Sequence, residues 1–520
     1  MSHIKYFRYV VFGLGFIWSF IIQAPAFAET WYELKSDTFI VYSNAREGQI
    51  KLLVEDLEYF RFFLQIFTNV KDTKSTLPLE IYAYKSNSKF RKELKVKGGI
   101  AGFYLTNFHG TFAYGDASKD SKGEGRQILF HEYVHYFMHQ FSAFNYPKWY
   151  DEGFADYLSA FSYKGGKVTI GQVLPGRIYS LQNSSWFPLV KILASNDRFE
   201  INRKGQNAQA TLYAQSWLLV HYLNADPERR KKLIQYLQAL HEGVPYDEAF
   251  DDIFQMSIKA LEKDLKAYWK KGYIPYIMYK FDNVQFKPFI TIRKLNDFES
   301  ELIKIKAKGH RIPYATDLSD FKKEINELIV NYPDPVEAQI LLAEKLYFYG
   351  TEEEKHEAEE IINKVLQKVS DNSQANALMG IIQFYKLYDT EIQEEKSGFS
   401  SLGRDYLKKA VVLDPLNVFA QFYLGFIYVY VGSDKPALGI NAMGTALDLL
   451  PQSNTFEFHY ALINARYGRL DEAAYFFNKN KNWGNYETWN KVADYCLLEI
   501  ERNAENHGCI FDNLNSFKDD

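Results

Sequence analysis

Two histidines four residues apart, with a glutamate directly after the first, stand at His131-Glu132-Tyr133-Val134-His135. On an α-helix, positions i and i+4 share a face. Both imidazoles can therefore offer a nitrogen to one tetrahedral zinc ion, while Glu132 sits beside the water that completes it. Catalytic zinc takes three protein ligands and keeps its fourth position for water. Glu152 lies 17 positions after His135, enough chain for a turn and an antiparallel return. Its rival as third ligand is Asp151, which points roughly 100° away on a helix. Asp156, one helical turn after Glu152, can accept a hydrogen bond from the far nitrogen of a ligand histidine, fixing its tautomer and raising its basicity. The chemistry such a set supports is hydrolysis: a metal lowers the pKa of its water and polarises a carbonyl. Glu132 would take the water's proton and pass it to the leaving amine.

The helix expected over 125–142 carries Ile128, Leu129, Tyr133, Val134, Phe137 and Met138 at helical spacing, so one face can be buried while the histidines face a cleft. Asn145-Tyr146-Pro147 makes a turn, and a second helix opens at Lys148. The pairing of His131-Glu132-x-x-His135 with Trp149-x-x-Glu152-Gly153-x-Ala155-x-Tyr157 resembles the gluzincin metallopeptidases. Within that clan it is most similar to the peptidase-MA-like family, whose members often carry tetratricopeptide repeats. The resemblance covers roughly residues 29–275, and its specific part is 131–157. It implies Zn2+ held by His131, His135 and Glu152, with Asp156 as the clan's supporting aspartate. Residues 212–223 resemble a helix that follows the ligand helix in the clan. In the related aminopeptidases a tyrosine at a comparable place stabilises the transition state. Carried over, that residue is Tyr213, a donor to the developing oxyanion; the alternative is an amphipathic core helix with a buried tyrosine.

No Gly-Ala-Met-Glu-Asn-like segment, the aminopeptidase device for holding a free amine, lies upstream. Residues 110–114 are instead expected to form an edge strand able to pair with an extended peptide, which favours an endopeptidase. His139 lies about 12 Å along the helix axis from His131, too far to share its ion, and a solvated or capping role is expected. His221 is expected to stay out of the cleft, and His109 lies beside the expected edge strand.

Positioning these groups calls for mixed structure. Residues 38–42 and 79–83 have the β-branched and aromatic content of strands, 48–67 carry apolar residues at helical spacing, and 110–115 read as a short strand. Helices are expected over 125–142, 148–162, 207–224, 227–241 and 257–271. Strands followed by segregated helices argue for an α+β domain over 29–275, and the resemblance implies that it is zincin-like. Residues 276–330 read as a connector, with a hairpin made from 277–284 and 286–293 and a charged helical stretch. From 331 to 502 the chain is helical and repetitive. Asp414-Pro415 and Leu450-Pro451 close helices 36 residues apart, and Asn417 to Gly425 resembles Ser373 to Gly380. Tyr467-Gly468-Arg469-Leu470-Asp471-Glu472-Ala473-Ala474 reads as a helix–turn–helix junction, and 390–403 as an insertion. A period near 34 with Gly and Pro at these places resembles tetratricopeptide repeats, which stack to present a concave face to a protein partner. Residues 503–520 form a tail.

A chain of 520 residues is too long for one core, and 47% hydrophobic with 24% charged residues is an ordinary globular balance. A net charge of −4 asks for no nucleic-acid partner. Lys5 and Arg8, the apolar run 10–22 and Ala26-Phe27-Ala28 read as an export signal over 1–28, so the expected destination is periplasmic or secreted, with no later membrane span. The two cysteines, Cys496 and Cys509, could pair in an oxidising compartment. The competing functional expectation is an exported scaffold whose repeats and inert zinc domain bind protein partners. The presence of base, three ligands and Asp156 together favours the enzyme.

Overall fold

Residues 39–43 alternate between buried and half-exposed, whereas 110–116 are buried throughout, and that contrast reports where each strand lies in the sheet. The computed structural model describes residues 29–70, 77–96, 102–117, 124–141, 146–194, 208–280, 286–312, 316–388, 392–433, 435–451, 453–479 and 487–502. The expected signal (1–28), the tail (503–520) and Cys509 lie outside them; Cys496 is buried.

The chain opens with β1 (Tyr32–Lys35), β2 (Phe39–Ser43), α1 (Glu47–Thr68), β3 (Leu79–Tyr84), α2 (Asn87–Glu93), β4 (Phe103–Asn107) and β5 (Gly110–Asp116). Next come α3 (Glu124–Phe141), α4 (Lys148–Ser159), β6 (Ser162–Lys164), β7 (Lys167–Ile170), α5 (Pro175–Asn183), α6 (Leu189–Leu193), α7 (Ala208–Asn224), α8 (Pro227–His241), α9 (Tyr246–Phe254) and α10 (Ile258–Lys270). Two more strands, β8 (Ile277–Lys280) and β9 (Thr291–Lys294), precede α11 (Asp297–Gly309) and α12 (Leu318–Asn331).

The larger sheet has the order β4-β5-β3-β2-β1-β9, with β2, β3 and β5 mutually parallel and the other pairings antiparallel. Successive residues of a strand point to opposite faces. Ile81 and Ala83 therefore join Leu57, Phe60, Leu129 and Tyr133 of α1 and α3 in the main core. Tyr82 and Tyr84 turn the other way and pack with Trp31, Phe112 and Tyr114 against Ile303 and Ala307 of α11.

Three expectations need correction. The edge of the sheet is β4, not residues 110–114; β5 lies between β3 and β4, which is why it is buried along its whole length. Residues 277–284 and 286–293 do not form a hairpin: β8 completes a small sheet with β6 and β7, while β9 pairs with β1. Residues 276–330 are consequently no detached connector. In this stretch β9 extends the sheet beyond β1 as its other edge and α11 covers one face, because the tyrosine-rich face left by β3 and β5 must be covered to leave water.

A stack of helix pairs follows: α13 (Val336–Tyr349) with α14 (Glu352–Lys368), α15 (Ser373–Lys386) with α16 (Gln393–Leu413), α17 (Val418–Tyr430) with α18 (Ala437–Leu449), and α19 (Asn454–Arg466) with α20 (Leu470–Lys479), then α21 (Glu487–Glu501). The pairs begin at residues 336, 373, 418 and 454, steps of 37, 45 and 36, a tetratricopeptide-like arrangement in which the long α16 absorbs the insertion. Gly380 and Gly403 let α15 and α16 approach closely: a Cβ on either would stand 2.9 Å from the other's carbonyl oxygen. Gly380→Val is expected to cost about 1–3 kcal/mol of stability through this overpacking, seen as a lower urea midpoint for the helical stack. No helix among the described residues is long and apolar enough to cross a membrane.

Candidate metal centre

A small residue lets the second ligand helix approach α7 closely. α3 packs against α4, and α4 against α7. At Gly153 a Cβ would lie 2.5 Å from the backbone oxygen of Ser216, so no larger residue fits between α4 and α7. The glycine after Glu152 thus brings α7, and with it Tyr213, up to the glutamate. His131 and Glu132 stay partly exposed, whereas His135, Glu152 and Asp156 are buried.

His131 Nε2 lies 3.1 Å from His135 Nε2 and 3.4 Å from Glu152 Oε2, and His135 Nε2 lies 3.5 Å from the same oxygen. A tetrahedral ion with bonds of about 2.0–2.2 Å places its ligand atoms about 3.3–3.6 Å apart, so these three atoms come close to one face of a zinc coordination tetrahedron. The donor set, two imidazoles and one carboxylate, is that of a catalytic zinc site. Each histidine is also oriented from behind. His131 Nδ1 is 3.0 Å from Asp156 Oδ1, and His135 Nδ1 is 3.0 Å from Asp151 Oδ1, which leaves both Nε2 atoms facing inward.

Further contacts hold those carboxylates. Arg177 donates to Asp156 through Nε at 2.5 Å and Nη2 at 3.0 Å. Asp151 also meets His139 Nε2 at 3.2 Å, and His139 Nδ1 lies 3.2 Å from the Tyr104 hydroxyl. The second oxygen of Glu152, Oε1, accepts from Tyr213 at 2.7 Å and pairs with Lys148 Nζ at 2.6 Å.

The electrostatics follow from this crowding of charge. Burial opposes the charged form of His131, but its hydrogen bonds to Asp156 and Glu152 outweigh it and raise the imidazole to about 9. His135 is likewise raised, by Asp151 and Glu152 against burial. Glu152 and Asp151 are held far below the usual carboxylate range by the histidines, although burial works the other way. Three carboxylates surround the two imidazoles, and two of them are also paired with cationic side chains, Asp156 with Arg177 and Glu152 with Lys148. Among the carboxylates of the cluster Glu132 alone moves upward: burial, with the charge of Glu152, raises its carboxyl, opposed by both histidines and by a hydrogen bond from the Tyr104 backbone. A raised carboxyl suits a group that must accept a proton and give it back.

The structure thus gathers His131, His135, Glu152, Asp156 and Tyr213, with Glu132 alongside. The Tyr213 hydroxyl is engaged by Glu152 and by Gln209 Nε2 at 3.0 Å, so its contact here is with the carboxylate ligand atom's partner oxygen. Asp151 supports His135 rather than replacing Glu152; a donor set of His135, His139 and Asp151 also exists, but it uses the outward nitrogen of His135. His139, in the last turn of α3, stays partly exposed and in addition pairs with Asp151 and the Tyr104 hydroxyl. His221 is buried away from the cluster, its Nε2 at 3.0 Å from the Gly171 carbonyl and its Nδ1 at 3.0 Å from the Tyr268 hydroxyl. His109 leaves the cleft altogether and pairs with Glu344 on α13.

Sequence reasoning missed Lys148, Arg177, Tyr104 and the supporting role of Asp151. Lys148 was legible, since it precedes Glu152 by four helical positions. Nothing local marks Arg177 or Tyr104, which arrive from elements distant in the chain.

No family model and no curated protein matches this chain. Among solved structures, it is similar to a thermophilic tetratricopeptide repeat protein of Thermus thermophilus, with a TM-score of 0.31 and 17% identity over 38% of this chain and 98% of that one. It is also similar to PilF of Pseudomonas aeruginosa, with a TM-score of 0.31 and 16% identity over 43% of this chain and 90% of that one.

Proposed function

We propose that this chain is an exported zinc-dependent peptidase, most simply an endopeptidase, joined to helical repeats that offer a surface to a protein partner. One observation carries the reading: three donor atoms from His131, His135 and Glu152 stand 3.1 to 3.5 Å apart, and a separate aspartate orients each imidazole. Bound there, zinc would supply a water of lowered pKa and polarise the scissile carbonyl. Glu132 would serve as the proton carrier, accepting a proton from the attacking water and returning it to the leaving amine. Tyr213 and Lys148 hold the outer oxygen of Glu152, keeping its other oxygen turned to the histidines. The outer edge of β4 borders the cluster and offers backbone groups to an extended peptide. Export rests on the character of residues 1–28.

One contact favours the inert scaffold instead. Lys148 places a positive charge 2.6 Å from Glu152, where it competes with a cation for the same carboxylate. Metal analysis of the purified chain, paired with cleavage of a peptide library with and without chelator, separates the two readings. The peptidase is expected to carry one zinc per chain and to lose cleavage on chelation. A chain that takes up no zinc after reconstitution would leave the scaffold standing.

A further inference from the structure

A two-residue hairpin turn is normally built from Gly, Asn or Asp, because these tolerate its backbone angles and face water. The turn between β4 and β5 is Phe108-His109, flanked by the paired residues Asn107 and Gly110. An aromatic ring at a hairpin tip is an anomaly unless something covers it. What covers it is the helical stack. The first helices of successive pairs, α13, α15, α17 and α19, pack one against the next and line the stack's inner side. The Phe108 ring enters there, with its centroid 5.1 Å from Phe422, 5.7 Å from Phe456, 5.9 Å from Tyr423 and 6.5 Å from Phe419. Beside it the His109 ring lies 4.9 Å from Phe419, and its Nε2 stands 2.9 Å from Oε1 of the buried Glu344. Apolar contacts alone would tolerate sliding; a buried carboxylate paired with the tip histidine specifies one seat.

The other end of the same strand borders the metal cluster. Tyr104 reaches His139 through its hydroxyl, and its ring lies 6.3 Å from that of His135. As an edge strand, β4 is held by a neighbour on one side only. Its tip supplies the remaining constraint, about 13 Å from Tyr104 at the rise of a β-strand.

We propose that the inner groove of the repeats over α17 and α19 is occupied from within, acting as a clamp on the hairpin tip that sets β4 against the metal cluster, with Phe108 and His109 as positioning residues. This deepens the peptidase reading above and rests on it for its catalytic consequence. That part of the groove is then not the surface offered to a partner.

The test uses the full chain carrying Phe108→Ala, His109→Gln, Phe422→Ala on the repeat side, or Phe108→Ala with Phe422→Ala. Hydrogen–deuterium exchange is read over 103–107 and over α15 and α16, alongside zinc content and kcat/KM. Each single variant is expected to speed exchange in β4 on the order of tenfold while α15 and α16 stay protected. The double variant should add little to either single, since both break one contact. Zinc content should hold while kcat/KM falls, and Phe108→Leu should restore both rate and protection. Unchanged exchange in β4 for Phe108→Ala and His109→Gln would overturn the clamp, whether or not the parent cleaves peptides. A parent without cleavage but with faster β4 exchange in the variants would keep the clamp and remove the peptidase.

Discussion

Glu132→Gln is expected to keep its zinc and lose about 10²–10⁴-fold in kcat, the range attributable to one general acid–base group. The substitution is nearly isosteric, and the amide oxygen can still accept from the Tyr104 backbone, so the position of the side chain should survive. What is lost is the ability to take a proton. Burial and the neighbouring Glu152 charge lift the Glu132 carboxyl above its ordinary value, against the pull of both histidines. Metal content by elemental analysis and single-turnover cleavage of a library-derived peptide provide the measurement. A Gln variant as active as the parent would remove Glu132 from the chemistry while leaving the metal assignment intact.

His135→Ala is expected to reduce zinc content below detection and to abolish cleavage with it. His135 supplies one of two nitrogens, and its loss leaves His131 and Glu152 as a two-atom site. It also strips the Asp151 carboxylate of the closer of its two histidine partners, at 3.0 Å against 3.2 Å for His139. The supporting aspartates should behave differently. Asp151→Asn or Asp156→Asn keeps every ligand atom but weakens the orientation of one imidazole, with an expected loss of about 10–100-fold in metal affinity or activity. Graded losses of that kind, next to complete loss in His135→Ala, would be read by zinc titration against a competing chelator. Full zinc occupancy in His135→Ala would place the ion elsewhere.

Much of the centre follows from short-range periodicity. His131 and His135 share a helical face because they are four residues apart, and Lys148 reaches Glu152 for the same reason. The pairing of Asp156 with His131 needed one further step, the antiparallel return of α4 along α3, for which the turn at Pro147 gave a signal. The repeat period in the helical stack was visible in its recurring Gly and Pro positions: Gly380 sits where α15 nearly touches α16, and Gly425 where α17 nearly touches α18. By contrast, β4 was invisible as a strand. It is short, and its five residues are all half-exposed because it is an edge. With β4 unseen, the edge role fell to β5, whose unbroken burial in fact marks an interior strand.

The amino-acid sequence by itself determined which groups could bind a metal, since ligand type and helical spacing are properties of a few consecutive residues. Only the tertiary structure decided their surroundings: Arg177 behind Asp156, Tyr104 beside His139, β9 on the sheet and Phe108 among the rings of α17 and α19. The physical reason is that burial is non-directional and rewards any apolar contact about equally, so it leaves no local mark of which distant segment supplies the partner. Hydrogen bonds and close backbone approach select among those partners, and they act only once the elements have met.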